Sequence, residues 1–254
     1  MSGYISFSEL KDWKFCPYYR KLTRDDGLAG FKGNEFTTFG TAIHSACEKM
    51  MLNENIVPID FFLKEFDKEI SNLDDDVEID LSLVDQMKDQ ASNILPYVMD
   101  AVSREFGNYE VVSTEEKLMV PIEEQNYDFK GFIDLVVKTE DGKYHIIDWK
   151  TCSWGWDAKK RSDPMVTYQL TLYKKYFAIK HNIEPDNIET HFILLKRTAK
   201  KDNVELVTVT SGAVKTRNAT NLLITAIKNI KSGKSMKNRL SCRKCQFYKT
   251  EHCT

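Results

Sequence analysis

The sequence predicts a mixed α/β fold: a central mixed sheet flanked by helices, with a helical N-terminal part and a cysteine-bearing C-terminal tail. Three observations predict it. Residues up to about 105 carry helical signals. At Tyr109 the texture changes to stretches rich in Val, Ile, Phe and Tyr. From Asp163 onward, helix and strand patterns alternate. With 254 residues the chain reads as one domain over 1–254, with 1–105 mainly helical, 106–231 an α/β core and 232–254 a tail.

Each element has its own signal. Ser6-Phe7-Ser8-Glu9 reads as a capping box opening a first helix, which should end near Cys16-Pro17 because a residue before proline resists the helical region. Further helices are expected over 38–51, 59–71 and 81–105, the last with Leu83, Met87, Ile94 and Val98 in helical register. Strands are expected over 109–120, 127–138 and 143–150, with Asp141-Gly142 turning the chain between the last two. Asp163-Pro164 reads as an N-cap followed by proline at the first helical position, opening a helix to about Lys180. Strands over 188–196 and 203–210 and a helix over 211–231 complete the core.

Composition excludes some classes. There is no apolar run long enough to span a bilayer, and Met1-Ser2-Gly3-Tyr4 lacks the basic-then-apolar pattern of a secretory signal, so a cytoplasmic setting and no membrane partner are expected. These residues hold no Walker phosphate loop, which favours a free-standing protein over one joined to a helicase motor of that kind. Lys and Arg total 36 against 38 acids, so net charge announces no polyanion binder. The distribution does more: residues 211–254 hold ten basic residues and one acid, while 60–90 hold eleven acids and three lysines.

The chemistry concentrates on two strands. In Ile146-Ile147-Asp148-Trp149-Lys150-Thr151, alternation puts Asp148 and Lys150 on one face and Trp149 on the other. A carboxylate that holds a divalent ion beside an ammonium that serves a water suits hydrolysis. Gly131-Phe132-Ile133-Asp134 supplies a second carboxylate from the preceding strand, across a short hairpin. Asp-x-Lys alone is commonly an exposed ion pair; the ordered conjunction is what carries weight. Phe39-Gly40-Thr41-Ala42-Ile43-His44 adds an imidazole on a helix, and Gln169 and Tyr173 share a helix face four residues apart.

The six cysteines suggest metal rather than disulfides in a reducing setting. Cys242, Cys245 and Cys253 form a C-x2-C-x7-C pattern, and Cys16 is the candidate fourth thiolate. His252 beside Cys253 keeps zinc open as an alternative, and Cys47 and Cys152 have no partner at ligand spacing. Trp13, Tyr18, Tyr19, Arg20, Phe247 and Tyr248 near the ends either stack on unpaired bases or, the favoured reading, pack around the cysteine site, whereas Trp154 and Trp156, in a loop after the Asp148 strand, are the better candidates for contact with a nucleic-acid strand.

The ordered set Ser6-x-Ser8-x-Leu10, Cys16-Pro17, Gly40-Thr41-x-x-His44, Gly131-x-x-Asp134, Asp148-x-Lys150-Thr151 and Gln169-x-x-x-Tyr173 resembles the RecB-like branch of the PD-(D/E)XK nucleases, with their restriction-endonuclease-like core. The likeness runs from Ser6 to Cys253. It implies Mg²⁺- or Mn²⁺-dependent hydrolysis of DNA, usually from an end or in single strands, by the 106–231 region. His44, Asp134, Asp148 and the Trp149 carbonyl would ligate metal. Asp134, Asp148, Lys150 and Gln169 would act catalytically, and Tyr173, Trp154, Trp156 and Arg20 would meet DNA. A glutamate on the first strand is common in relatives, and both Glu115 and Glu116 qualify. The four-cysteine arrangement is similar to the iron–sulfur staple of CRISPR-adaptation and AddB-type exonucleases, implying a [4Fe–4S] cluster on Cys16, Cys242, Cys245 and Cys253, with zinc as the alternative. The expected function is an exonuclease for recombination, repair, phage DNA processing or CRISPR adaptation, working with DNA and a partner protein from those pathways. A structure-specific or single-strand endonuclease and a non-catalytic DNA-binding accessory subunit are the competing readings.

Overall fold

A computed structural model of the chain describes residues 3–28 and 30–254; Met1 and Ser2 of the opening segment, and Ala29, lie outside the described residues. The elements run β1 (Gly3–Ser6), α1 (Phe7–Phe15), α2 (Pro17–Arg20), α3 (Glu35–Met51), α4 (Pro58–Ser71), α5 (Leu81–Ser92), α6 (Val98–Phe106), β2 (Tyr109–Ile122), β3 (Tyr127–Thr139), β4 (Tyr144–Cys152), α7 (Ala158–Ser162), α8 (Pro164–His181), β5 (Ile188–Lys196), β6 (Val204–Thr208) and α9 (Ala213–Lys231). The strands pair in the order β1-β3-β4-β5-β6, with β2 also on β3. β3–β4 and β5–β6 are antiparallel, whereas β1–β3 and β4–β5 are parallel, so the sheet is mixed as expected. Among the described residues no helix is long and apolar enough to cross a membrane.

The chain divides into two compact units. The larger comprises residues 32–117 and 132–210. Its core joins Phe39, Ile43 and Met51 of α3, Phe62 and Phe66 of α4 and Met87 of α5 to Leu135, Ile147, Trp149 and Ile193 of the sheet. Phe39, Phe62 and Phe66 pack with ring centroids 5.3–5.8 Å apart. The smaller unit comprises residues 1–31, 118–131 and 211–254. In it β1 runs parallel to the first half of β3, from Gly3 opposite Tyr127 to Ser6 opposite Lys130. A Cβ on Gly3 would stand 2.6 Å from the Tyr127 ring, so only glycine allows this approach.

Several boundaries differ from the sequence reading for physical reasons. Ser6 does cap α1, accepting from the Glu9 N–H at 3.2 Å, but the Glu9 carboxylate binds Arg20 at 2.6 Å instead of returning to the cap. The helix expected over 81–105 is broken between α5 and α6 by a 3-10 turn at Leu95–Tyr97, because Pro96 lacks the N–H a continuous helix needs. The short β1, the π-helical turn Lys21–Asp25 and α7 carry no periodicity long enough to read. The Asp141-Gly142 hairpin is present, with Gly142 at φ 85° and its N–H donating to Thr139 O at 2.9 Å.

Candidate active site

The hairpin sets the first relationship. β3 and β4 pair with Leu135 opposite Ile147, and one more step of that register puts Asp134 opposite Asp148. Opposed residues of an antiparallel pair share a face, so both carboxylates converge. Asp134 Oδ2 accepts the Trp149 backbone N–H at 2.8 Å, and His44 Nδ1 on α3 lies 3.6 Å from the same oxygen. Asp148 is 2 % exposed; its Oδ2 is ion-paired to Lys150, and its Oδ1 accepts from Gln169 Nε2 at 2.9 Å. Gln169 Nε2 also reaches the Tyr173 hydroxyl at 3.3 Å. His44, Asp134, Asp148, Lys150, Gln169 and Tyr173 thus form one connected constellation, drawn from α3, β3, β4 and α8.

Two acids join it. Glu115 sits in β2 in the left-handed region, at φ 45°, which is unfavourable for any residue but glycine. Burial, then Glu48 and then Asp148 raise its pKa, so its carboxyl feels both acids. Glu116 turns elsewhere, accepting from Lys180 at 2.8 Å and paired with Ser113 and His181. Of the two glutamates, Glu115 is the one in the field of Asp148. Glu48 lies one turn after His44 and accepts from Thr114 Oγ1 at 3.1 Å. The i,i+4 spacing His44-x-x-x-Glu48 was the available signal for it.

The electrostatics suit a cation. Burial and the neighbouring Asp148 push the Asp134 carboxyl well above the usual carboxylate range, opposed by Lys150 and the Trp149 N–H. Burial and Lys150 hold His44 down at about 3, which keeps its imidazole in the neutral, ligating form. Four carboxylates, one neutral imidazole and a single lysine make an oxygen-rich donor set that repels itself, and this fits a divalent ion of the magnesium or manganese type.

The residues expected to meet DNA are placed differently from one another. Trp154 is 67 % exposed, as a base-stacking residue requires. Trp156 is buried, its ring 5.0 Å from that of Phe192, so it packs the core under the loop instead. Tyr173 is also buried and reaches Gln169 with its hydroxyl, a supporting position rather than a DNA-facing one. The Arg20 guanidinium is taken up by Glu9 and Asp25, each at 2.6 Å, with the side chain 11 % exposed. The helix α7, which follows the loop of Trp154 and Trp156, presents Lys159 and Lys160 to solvent, with Lys160 4.8 Å above the Trp156 ring.

In the smaller unit, the tail returns to α1. Asn238 Nδ2 and Ser241 Oγ both donate to Phe15 O, at 2.8 and 2.6 Å, and the Asn238 N–H points at Cys16 Sγ at 3.2 Å. Cys245 and Cys253 pack with Leu22, Phe247, Tyr18 and Tyr19. Burial raises the Cys245 thiol, the Phe247 N–H opposes this, and Cys16, Cys253 and Cys242 are near enough to add to the rise. The four cysteines thus pool from opposite ends of the chain. Among the described residues only a different group brings three ligand atoms within 4.8 Å of one another, so the sulfurs are not closed to the roughly 3.8 Å spacing that Zn–S bonds of about 2.3 Å impose.

The sequence profile of the PD-(D/E)XK nuclease superfamily matches residues 4–250. A crystal structure from Eubacterium rectale described as "Putative exonuclease" superposes with a TM-score of 0.65 at 14% identity, covering 96% of this chain and 86% of that one. The structure of SSO0001 aligns at 14% identity over 97% of this chain and 84% of that one, with a TM-score of 0.43. No curated protein matches the chain by sequence.

Proposed function

Because the chain belongs to the PD-(D/E)XK nuclease superfamily, we propose that it is a divalent-metal-dependent deoxyribonuclease that hydrolyses phosphodiester bonds from DNA ends. The observation that carries this reading is the pair Asp134 and Asp148, buried and mutually repelling, with neutral His44 on one side and Lys150 and Gln169 on the other. His44, Asp134, Asp148 and the Trp149 carbonyl would hold the ion, with Glu115 and Glu48 in support. A divalent ion bound there supplies Lewis-acid stabilisation of the phosphate and a more acidic water. Lys150 orients that water and stabilises charge on the phosphate. Gln169 fixes the Asp148 carboxylate, and Tyr173 seats Gln169. Trp154 and the lysines of α7 contact the strand. The E. rectale structure's description agrees with action at ends, and the exonuclease reading is tested by digesting end-labelled linear DNA beside closed circular DNA with Mg²⁺ or Mn²⁺. Loss of the linear substrate alone is expected; cutting of the circle contradicts exonuclease action.

We also propose that Cys16, Cys242, Cys245 and Cys253 hold a [4Fe–4S] cluster that ties the tail to α1. The C-x2-C pair and the approach of Cys16 to Cys242, Cys245 and Cys253 from the opposite end of the chain support a four-thiolate site. Protein purified without oxygen should be brown, with iron and sulfide in equal amounts, and Cys16→Ser should bleach it. A colourless, zinc-containing preparation overturns this assignment.

A further inference from the structure

A second constellation lies on the other face of the sheet. His145 on β4 stands opposite Glu189 on β5, and Ile147 stands opposite His191. Alternation puts His145, Glu189 and His191 on the face away from Asp148 and Lys150. Their ligand atoms all lie within 4.8 Å of one another. His145 Nδ1 is 3.1 Å from His191 Nε2, and Glu189 Oε2 is 3.9 and 4.0 Å from those two nitrogens. Both imidazoles are buried, and Phe106 closes over them with ring centroids at 4.8 and 5.3 Å.

The outer nitrogens are held too. Thr139 Oγ1 lies 3.2 Å from His145 Nε2, and Thr208 Oγ1 lies 3.2 Å from His191 Nδ1. A hydroxyl on the far nitrogen fixes ring orientation, which is the role of the supporting shell around metal-bound histidines. Lys143 holds Glu189 Oε1 at 2.6 Å and leaves Oε2 toward the rings. Ligand bonds of about 2.0–2.1 Å in a tetrahedron separate their atoms by roughly 3.3 Å. The two nitrogens are already near that separation, and Glu189 would need to move by about 0.6 Å to reach it. Burial, with His145 adding to it, lowers His191 to about 4, and burial lowers His145, so both rings are neutral as metal ligands must be.

We propose that His145, Glu189 and His191 form a zinc site separate from the nuclease centre. Two nitrogens and one carboxylate oxygen suit Zn²⁺, whereas magnesium takes oxygen ligands. His145 and Glu189 also border a cavity of about 460 Å³, lined by Phe106, Thr139, Asp141 and Lys143, which leaves room for a further ligand. The ion clamps the ends of β3 and β6, through their threonines, to the starts of β4 and β5. The competing account is a metal-free hydrogen bond between the two imidazoles.

The test uses the full chain, stripped and reloaded with Zn²⁺, with the cysteines and the carboxylate centre intact in every variant. Elemental analysis should find one zinc fewer per chain in His191→Asn than in wild type. Zinc should raise the melting temperature of wild type by more than that of Glu189→Gln, whose remaining rise reports the intact cysteines and carboxylate centre, and Thr208→Val should bind zinc about tenfold more weakly. Should His191→Asn fail to fold, the half-exposed Glu189→Gln and the ring ¹⁵N resonances of wild type decide: zinc should move those of both histidines. Equal zinc content, equal melting shifts and unmoved ring resonances would overturn the proposal in favour of the hydrogen-bonded pair.

Discussion

Asp134 is held where its charge is least welcome: buried, beside a second carboxylate, with Lys150 and one backbone N–H to offset it. A carboxyl raised in the folded state contributes stability that is complete below the ordinary carboxyl pKa and is lost as pH rises through the raised value. In cation-free protein, Asp134→Asn should therefore melt higher than wild type at neutral pH, by roughly 0.5–2 kcal/mol, and the gap should shrink as pH falls from the raised value toward the ordinary carboxyl pKa. Adding Mg²⁺ or Mn²⁺ should stabilise wild type by mass action and leave the variant behind. Equal melting curves at every pH, with and without cation, would remove Asp134 from the metal site. Lys150→Ala should lower turnover by about 10²–10⁴-fold and, in cation-free protein, should also lower the melting temperature at neutral pH, because it strips Asp134 and Asp148 of their nearest counter-charge. At this scale much was legible: Asp134, Asp148, Lys150, His44 and Gln169 are named by motif order and converge in space. What was not legible is burial. Trp154 and Trp156 look alike in sequence, yet one is solvent-exposed and the other packs on Phe192.

β2 shows what an element contributes that a motif cannot. Burial alternates from Tyr109 to Ser113, changes phase between Ser113 and Thr114, and alternates again to Ile122; one residue past the change, at Glu115, the chain turns left-handed. That local bulge aims Glu115 at Glu48 and Asp148 while Glu116 goes to Lys180 and His181, which register alone could not decide. Left-handed backbone costs a non-glycine residue roughly 1–2 kcal/mol, and glycine returns part of that as chain entropy. Glu115→Gly should thus stabilise the protein by up to about 1 kcal/mol while lowering cleavage, and thermal melts beside an activity assay check both. A loss of stability would show that the bulge carries no strain. Long elements with strong periodicity, such as α3, α8 and β5, were readable to within a few residues. The break between α5 and α6 was signalled by Pro96 but hidden by apolar spacing that continues across it. β1 is too short to show alternation, and its place beside β3 is a long-range pairing that local sequence does not encode.

For the whole chain, net charge is nearly balanced, so DNA affinity must come from local basic surface rather than a global field. The exposed lysines of α7 follow directly after the strand that carries Asp148 and Lys150. Replacing Lys159 and Lys160 with alanine should weaken DNA binding uniformly across sequences and reduce the slope of log affinity against log salt by about 2. An unchanged slope would place the DNA path elsewhere. The central claim is that the Asp134–Asp148–Lys150 centre hydrolyses DNA with a divalent ion. It is tested most directly by nucleotide release from linear DNA, with and without Mg²⁺ or Mn²⁺, comparing wild type with an Asp148→Asn variant shown to be folded. The account predicts cation-dependent release by wild type and a loss on the order of 10²–10³-fold or more in the variant. Equal release by both proteins, or release by wild type that persists in excess chelator, would contradict it.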